Sequence, residues 1–225
     1  MAEPGCSCCY DKEFDDRSAR RELAEDRRRG PREATRALVA ALAGDDARGL
    51  TVLDIGAGIG TVHRLLLEAG AAEAIDIDAS GPYLAAAQSE AERLGLGDRV
   101  RFIHGDFVAV APGIDPVDVV ALDRVACCYL DGPGLVAAAA ARTRLRLGIV
   151  IPPDGRLARA AVRAINLWQW LLRSRLRMQA HRHADLAAAA ATAGLRCTRT
   201  EPHGVWRLLV FERRGGEGPA PTAAR

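Results

Sequence analysis

Apolar and polar residues follow two rhythms along this chain. From position 50 onward, short and mostly apolar runs recur at 51–55, 74–78, 100–103, 117–122 and 147–151. Between them, residues 61–69, 81–94 and 132–146 place apolar positions at helical spacing. Strands of this kind, separated by amphipathic helices, predict an α/β domain whose parallel sheet is covered on both faces. Ahead of them, residues 11–36 are dense in charge. They predict one or two short helices broken near Gly30 and Pro31, because proline suits a helix start and not its interior. Residues 35–42 continue as an apolar-faced helix.

Beyond the fifth run the pattern changes. On a helix over 156–179, Arg156, Arg159, Arg163, Asn166, Trp170, Arg173 and Arg177 form one stripe. Leu157, Ala161, Ile165, Trp168 and Leu172 form the opposite one. Arg175 falls on the apolar side, which predicts an end or bend near Ser174. Residues 185–193 predict a further helix, with Asp185 near its N-cap and Gly194 at its C-cap. Residues 195–201 and 205–212 predict two antiparallel strands joined as a hairpin. The Gly- and Pro-rich end, 215–225, predicts a disordered tail.

Composition narrows the class. The 225 residues are 49% hydrophobic and 27% charged, which fits one globular domain and excludes wholesale disorder. Lys12 is the only lysine beside 30 arginines, and 43 residues are alanine. A skew this general reflects coding background, so the choice of arginine over lysine carries no argument. A net charge of +2 requires no polyanionic partner. No uncharged apolar run approaches the roughly 18–20 residues of a membrane span. No basic segment followed by an apolar one opens the chain, so a cytoplasmic location is expected. In that setting Cys6, Cys8, Cys9, Cys127, Cys128 and Cys197 predict free thiols. The Cys6, Cys8 and Cys9 spacing fits no standard zinc site, and no metal is expected.

The chemistry concentrates at three successive strand ends. The first strand runs into Gly56-Ala57-Gly58-Ile59-Gly60, a turn that lets backbone approach a ligand beside a helix N-terminus. Thr61 stands where a dinucleotide-type G-x-G-x-x-G would need Gly or Ala. Asp54, two residues before the turn, suits an ammonium, so the arrangement fits a nucleoside carrying an amino acid. Asp78 ends the second strand, where a carboxylate can accept both hydroxyls of a ribose; Asp76 competes with it. His104-Gly105-Asp106-Phe107 follows the third strand. There an acidic side chain can accept from an adenine amine while Phe107 covers the ring.

VLDIGAGIG, IDIDAS and HGDF at these strand ends resemble the successive motifs of class I S-adenosylmethionine-dependent methyltransferases. The resemblance covers roughly 50–151, and the hairpin over 195–212 agrees with it. More narrowly, FDDRSARRELAEDRRRGP and LDRVACCYLD resemble methyltransferase-domain proteins loosely similar to magnesium-protoporphyrin O-methyltransferases. Leu130 stands where those have proline, and the Cys127–Cys128 pair replaces histidines. The resemblance implies a Rossmann-like, doubly wound, mostly parallel seven-stranded sheet with an antiparallel last strand, plus N-terminal helices and a helical lid. It implies S-adenosylmethionine as cofactor, with Gly56, Ala57 and Gly58 on its methionine side, Asp78 and Ala79 at ribose, and Asp106 and Phe107 at adenine. The single domain would divide into an N-terminal helical cover (1–48), a cofactor-binding core (49–155), a basic lid (156–184), and a last helix with closing hairpin (185–214). The cover would bring Phe14 or Tyr10 near the sulfonium.

The acceptor side should lie beyond the fourth strand. Asp123 or Arg124 can orient the charged methionine end, or form an ordinary ion pair. Tyr129 can bind an acceptor or act as a weak base, or simply pack. Cys127 and Cys128 either contact substrate or serve as small buried hydrophobes. His181 can reach the site as a base from beyond the basic helix, whose Ile165, Trp168 and Leu172 would roof an apolar pocket. His63 is expected to face outward. The resulting expectation is methyl transfer to O, S or N of a small apolar molecule, without nucleic acid as partner. The arginine faces keep a nucleic-acid methyltransferase, an RNA-binding module and peripheral membrane contact open, and a non-catalytic cofactor binder is the third alternative. Oligomeric state is not legible.

Overall fold

The computed structural model describes residues 14–171 and 177–213. Two helices open the described chain. Helix α1 (Asp16–Arg29) is capped by the Asp15 carboxylate, which accepts from the Ser18 amide, and it stops at Gly30 with a φ of 74°. Helix α2 (Glu33–Ala43) follows. The sheet then begins with β1 (Thr51–Ile55), α3 (Thr61–Glu68), β2 (Glu73–Asp78), α4 (Gly81–Arg93) and β3 (Val100–His104). It continues through β4 (Val117–Asp123), α5 (Gly132–Ala141) and β5 (Thr143–Ile151). Helices α6 (Arg156–Leu171) and α7 (His183–Ala191) precede the closing hairpin, β6 (Leu195–His203) and β7 (Trp206–Arg213).

The strand order is β3-β2-β1-β4-β5-β7-β6. Strands β1 to β5 pair in parallel, and β7 runs antiparallel to both β5 and β6. Chain order reverses between β1 and β4, so a crevice opens there beyond the strand ends, where open α/β sheets bind ligands. Both faces of the sheet are covered. Leu38, Leu42, Val62, Leu66 and Leu67 pack on one face, while Leu122, Leu135, Val136, Leu186 and Phe211 join the layer on the other. Helix α2 lies so close to β5 that a Cβ on Gly148 would sit 2.3 Å from Leu38 Cδ1.

Two boundaries and the orientation of one helix differ from the sequence-based expectation. Helix α5 ends at Ala141, and residues 143–146, expected in that helix, belong to β5. They are claimed by sheet neighbours: Thr143 pairs with Val117, and Arg146 with both Val119 and Glu212. The Arg146 guanidinium also donates to the carbonyls of Leu42 and Ala43 at the end of α2. Helix α7 starts two residues early, so Asp185 lies in its first turn and Arg182 takes the cap position. Helix α6 is rotated relative to expectation. Val162 is its buried residue, while Ile165 and Trp168, expected to roof the pocket, and Leu157 of the same expected stripe are exposed. The Asn166 amide fixes this rotation by exchanging hydrogen bonds with the Met178 backbone, both 2.8 Å. The expected bend at Ser174, the roof residue Leu172, the tail, and Cys6, Cys8, Cys9 and Tyr10 lie outside the described residues.

Candidate active site

The glycine turn after β1 takes its shape from three left-handed residues, Gly56, Gly58 and Gly60, with φ of 61°, 59° and 77°. L-residues with a Cβ adopt this conformation at a cost of about 1–2 kcal/mol. The turn is tied to β2 at both levels. Gly56 donates its amide to the Ile77 carbonyl at 2.7 Å, and Gly58 donates to Asp78 Oδ2 at 2.9 Å. The other Asp78 oxygen accepts from the Ser80 amide at 2.8 Å. Two neutral donors hold the carboxylate at the cavity wall, while burial pushes its pKa upward against them.

Around this turn lies the principal cavity. Gly56, Ala57, Gly58, Ile59, Asp78, Ala79, Asp106, Phe107, Asp123, Arg124, Cys128 and Tyr129 all line it. Thus three strand ends, from β1, β2 and β4, and the loop after β3 converge on one space. Asp106 caps the short helical turn Phe107–Val110 by accepting from the Val108 amide. It also accepts from the Tyr129 hydroxyl, at 2.7 Å and 2.9 Å to its two oxygens. Asp123 accepts from Thr35 Oγ1 at 2.8 Å and pairs with the neighbouring Arg124 guanidinium at 3.1 Å. Arg124 is the non-glycine residue with positive φ, 62°, among the described residues. Its amide donates to the Val150 carbonyl, and its own carbonyl accepts from the Cys127 thiol, so the surroundings hold the strained backbone in place.

The N-terminal segment closes one side. Phe14 lines the cavity and meets the Tyr83 ring edge-on, with centroids 5.8 Å apart. Tyr83 hydroxyl donates to Glu22 of α1, and Ser80 Oγ donates to the Phe14 carbonyl. Burial and the Glu22 charge raise the Tyr83 pKa, so it stays a neutral donor. Glu22, Tyr83, Val125 and Leu135 line the cavity and were not singled out from sequence. Tyr83 stands three residues after the Ser80 cap, in the first turn of α4 and facing the glycine turn, which is a readable signal. Glu22 has none, because its partner is 61 residues away.

Several expected residues stand elsewhere. Asp54 is fully buried behind the turn, where it accepts from the His63 amide and pairs with His63 Nδ1, both at 3.1 Å. His63 is therefore inside the fold, not outward, buried on α3 with Val62, Leu66 and Leu67 and edge-on to the Phe102 ring. Its Nδ1 also lies 3.7 Å from Asp76. Cys127 is buried beneath the cavity floor, with its sulfur 3.9 Å from that of Cys128. The His181 ring contacts the Tyr129 carbonyl at 2.9 Å, outside the lining. Trp168 is exposed to solvent on α6. Among the described residues, no cluster of His, Cys, Asp and Glu could hold a metal.

A doubly wound sheet with one reversed strand places a glycine turn and a β2 carboxylate together on the cavity at the switch point, the edge where open α/β sheets bind ligands. Residues 52–146 match the family model described as a methyltransferase domain. No curated protein sequence matches the chain. Among solved structures, the chain is similar to magnesium protoporphyrin IX methyltransferase from Synechocystis PCC 6803 with bound S-adenosylhomocysteine. That match has 23% identity, a TM-score of 0.66, and covers 81% of this chain and 83% of the other. An O-methyltransferase family protein from Burkholderia thailandensis is similar at 20% identity and a TM-score of 0.70, over 91% and 63% of the two chains. The mitomycin 7-O-methyltransferase is similar at 24% identity and a TM-score of 0.64, over 91% and 60%. At such identities the likeness is one of fold. Residues 52–146 thus carry a methyltransferase domain, and the fold around them is shared with methyltransferases solved with S-adenosylmethionine or S-adenosylhomocysteine bound.

Proposed function

We propose that this chain is a class I S-adenosylmethionine-dependent methyltransferase that methylates an oxygen, sulfur or nitrogen of a small apolar molecule in the cavity beyond β4. The observation that carries the reading is the Asp78 carboxylate, fixed against the Gly58 amide at 2.9 Å on the cavity wall. Each Asp78 oxygen keeps a lone pair for a ribose hydroxyl after accepting one backbone bond. Gly56, Ala57 and Gly58 present backbone alone to the methionine side, Ala79 adds a small wall at the ribose, and Asp106 with Phe107 receives adenine. Asp123 and Arg124 neutralise one another and face the charged amino-acid end. Asp54 acts from behind, holding the turn through His63.

When bound, S-adenosylmethionine supplies a methyl group already activated on a sulfonium. The protein's share is alignment and exclusion of water. Val125, Cys128, Tyr129 and Leu135 make the acceptor end largely apolar. Among the described residues no histidine lines the cavity, and the Tyr129 hydroxyl is engaged by Asp106. The reading therefore favours an acceptor that needs little help to lose its proton, such as a phenol or thiol. His181 would position Tyr129 through its backbone, and Cys127 would support Cys128.

Calorimetric titration with S-adenosylhomocysteine tests the cofactor half. Asp78→Ala should weaken binding at least about tenfold while the melting temperature is kept; unchanged affinity would sink the assignment. Release of S-adenosylhomocysteine with a panel of phenols, thiols and amines tests the acceptor half. Turnover confined to polar or macromolecular acceptors would overturn it.

A further inference from the structure

Helix α6 turns a row of large apolar side chains toward solvent. Leu157 is 89% exposed, Trp168 64% and Trp170 62%, and Leu167 and Leu171 are exposed with them. At the helical repeat, Leu167, Ala160, Leu171, Ala164, Leu157, Trp168 and Ala161 follow one another around a sector about 120° wide. No charge interrupts that sector, and buried Val162 stands on the opposite side. Arg156, Arg163 and Arg159 flank one edge, with Trp170 among them. From Gly155 to Ala184 the sequence holds seven arginines and no acidic residue.

We propose that α6 docks this protein onto an anionic lipid bilayer surface, lying in the plane of the interface. Sixteen residues span about 24 Å, too short and too charged to cross the hydrocarbon. Among the described residues no helix is long and apolar enough to do so. The apolar row enters the acyl boundary, indole rings sit at the headgroup level, and flanking guanidiniums reach lipid phosphates. Charge selects this occupant over the others. A second copy of the chain would bring one arginine row toward another. A nucleic-acid backbone would pair with the arginines and leave the leucine row in water. This docking is independent of which acceptor the enzyme uses.

The experiment is co-sedimentation of the full chain with vesicles of equal parts phosphatidylglycerol and phosphatidylcholine, against pure phosphatidylcholine. Binding to the anionic vesicles with a blue shift of tryptophan emission is expected. Leu167→Gln with Leu171→Gln, and separately Arg156→Gln with Arg159→Gln and Arg163→Gln, should each lower the bound fraction at least about tenfold. Both variants should keep the affinity for S-adenosylhomocysteine, which shows that they are folded. Absence of vesicle binding at low salt would overturn the proposal. So would equal binding by the variants. A dimer in light scattering that the leucine variant abolishes, or salt-sensitive binding to RNA in place of vesicles, would reassign the face.

Discussion

The Tyr129 hydroxyl donates to Asp106, lying 2.7 Å from one carboxylate oxygen and 2.9 Å from the other. The contact joins the loop after β4 to the loop after β3 across the cavity. A hydroxyl engaged this way orients the carboxylate and is a poor base. Tyr129→Phe should therefore act through cofactor binding. A hydrogen bond to a charged group is worth about 1.5–3 kcal/mol when buried, and the open cavity reduces that. KM for S-adenosylmethionine should rise about three- to tenfold, with kcat falling by less. A collapse of kcat at constant KM would instead make Tyr129 a catalytic residue.

Two of the cavity-lining glycines, Gly56 and Gly58, should fail differently. A Cβ on Gly56 would stand 2.1 Å from Val125 Cγ2, while one on Gly58 would meet only the Tyr83 ring, at 3.6 Å. Both need the left-handed conformation. Gly58→Ala carries that strain alone, about 1–2 kcal/mol. Gly56→Ala adds overpacking of about 1–3 kcal/mol. Thermal unfolding should show a clearly larger loss for Gly56→Ala. Calorimetry should show Gly58→Ala folded but weak in cofactor binding, because its methyl group enters the cavity. Equal melting temperatures would contradict this division.

The parts of the site that were legible in sequence are those fixed by local rules. The glycine turn, Asp78 and HGDF sit where apolar runs end, and the sheet edge brings such ends together. Residues set by packing were not legible in the same way. His63 counts as polar, yet it stands three and four residues before Leu66 and Leu67 and shares their face, which was the available signal. The rotation of α6 follows from the Asn166–Met178 contact across 12 residues, which no periodicity encodes. The Glu22–Tyr83 bond joins separate elements and has no local signature.

The adjacent thiols at the cavity floor should react unequally. The contact between the two sulfurs, followed by the nearby Arg124 charge, lowers the Cys128 pKa against burial. The same contact and then burial push Cys127 upward. Cys128 also lines the cavity, whereas Cys127 is buried beneath it. Thiolate is the reactive form. With iodoacetamide and mass spectrometry, exposed Cys197 should react first, Cys128 next, and Cys127 last. S-adenosylhomocysteine should slow Cys128 alone among these three. Faster labelling of Cys127 than of Cys128 would reverse the assignment.

Asp76 should make the fold less stable as pH rises. It is fully buried, and neither carboxylate oxygen has a hydrogen-bond partner among the described residues. Burial, then the Asp54 and Asp78 charges, raise its pKa well above the ordinary carboxylate value. In the unfolded chain Asp76 ionises near a pKa of about 3.9. Between that value and the raised folded one, the folded state binds more protons than the unfolded state. Stability from this group is then fully present below about pH 3.9 and is lost as pH climbs through the folded pKa. Asp76→Asn keeps the shape and cannot ionise, so it removes the slope. Its melting temperature should exceed the parent's by at least about 2 °C at pH 8, with a smaller difference at pH 5. A variant less stable than the parent at pH 8 would mean that His63, 3.7 Å away, holds Asp76 as an ion pair.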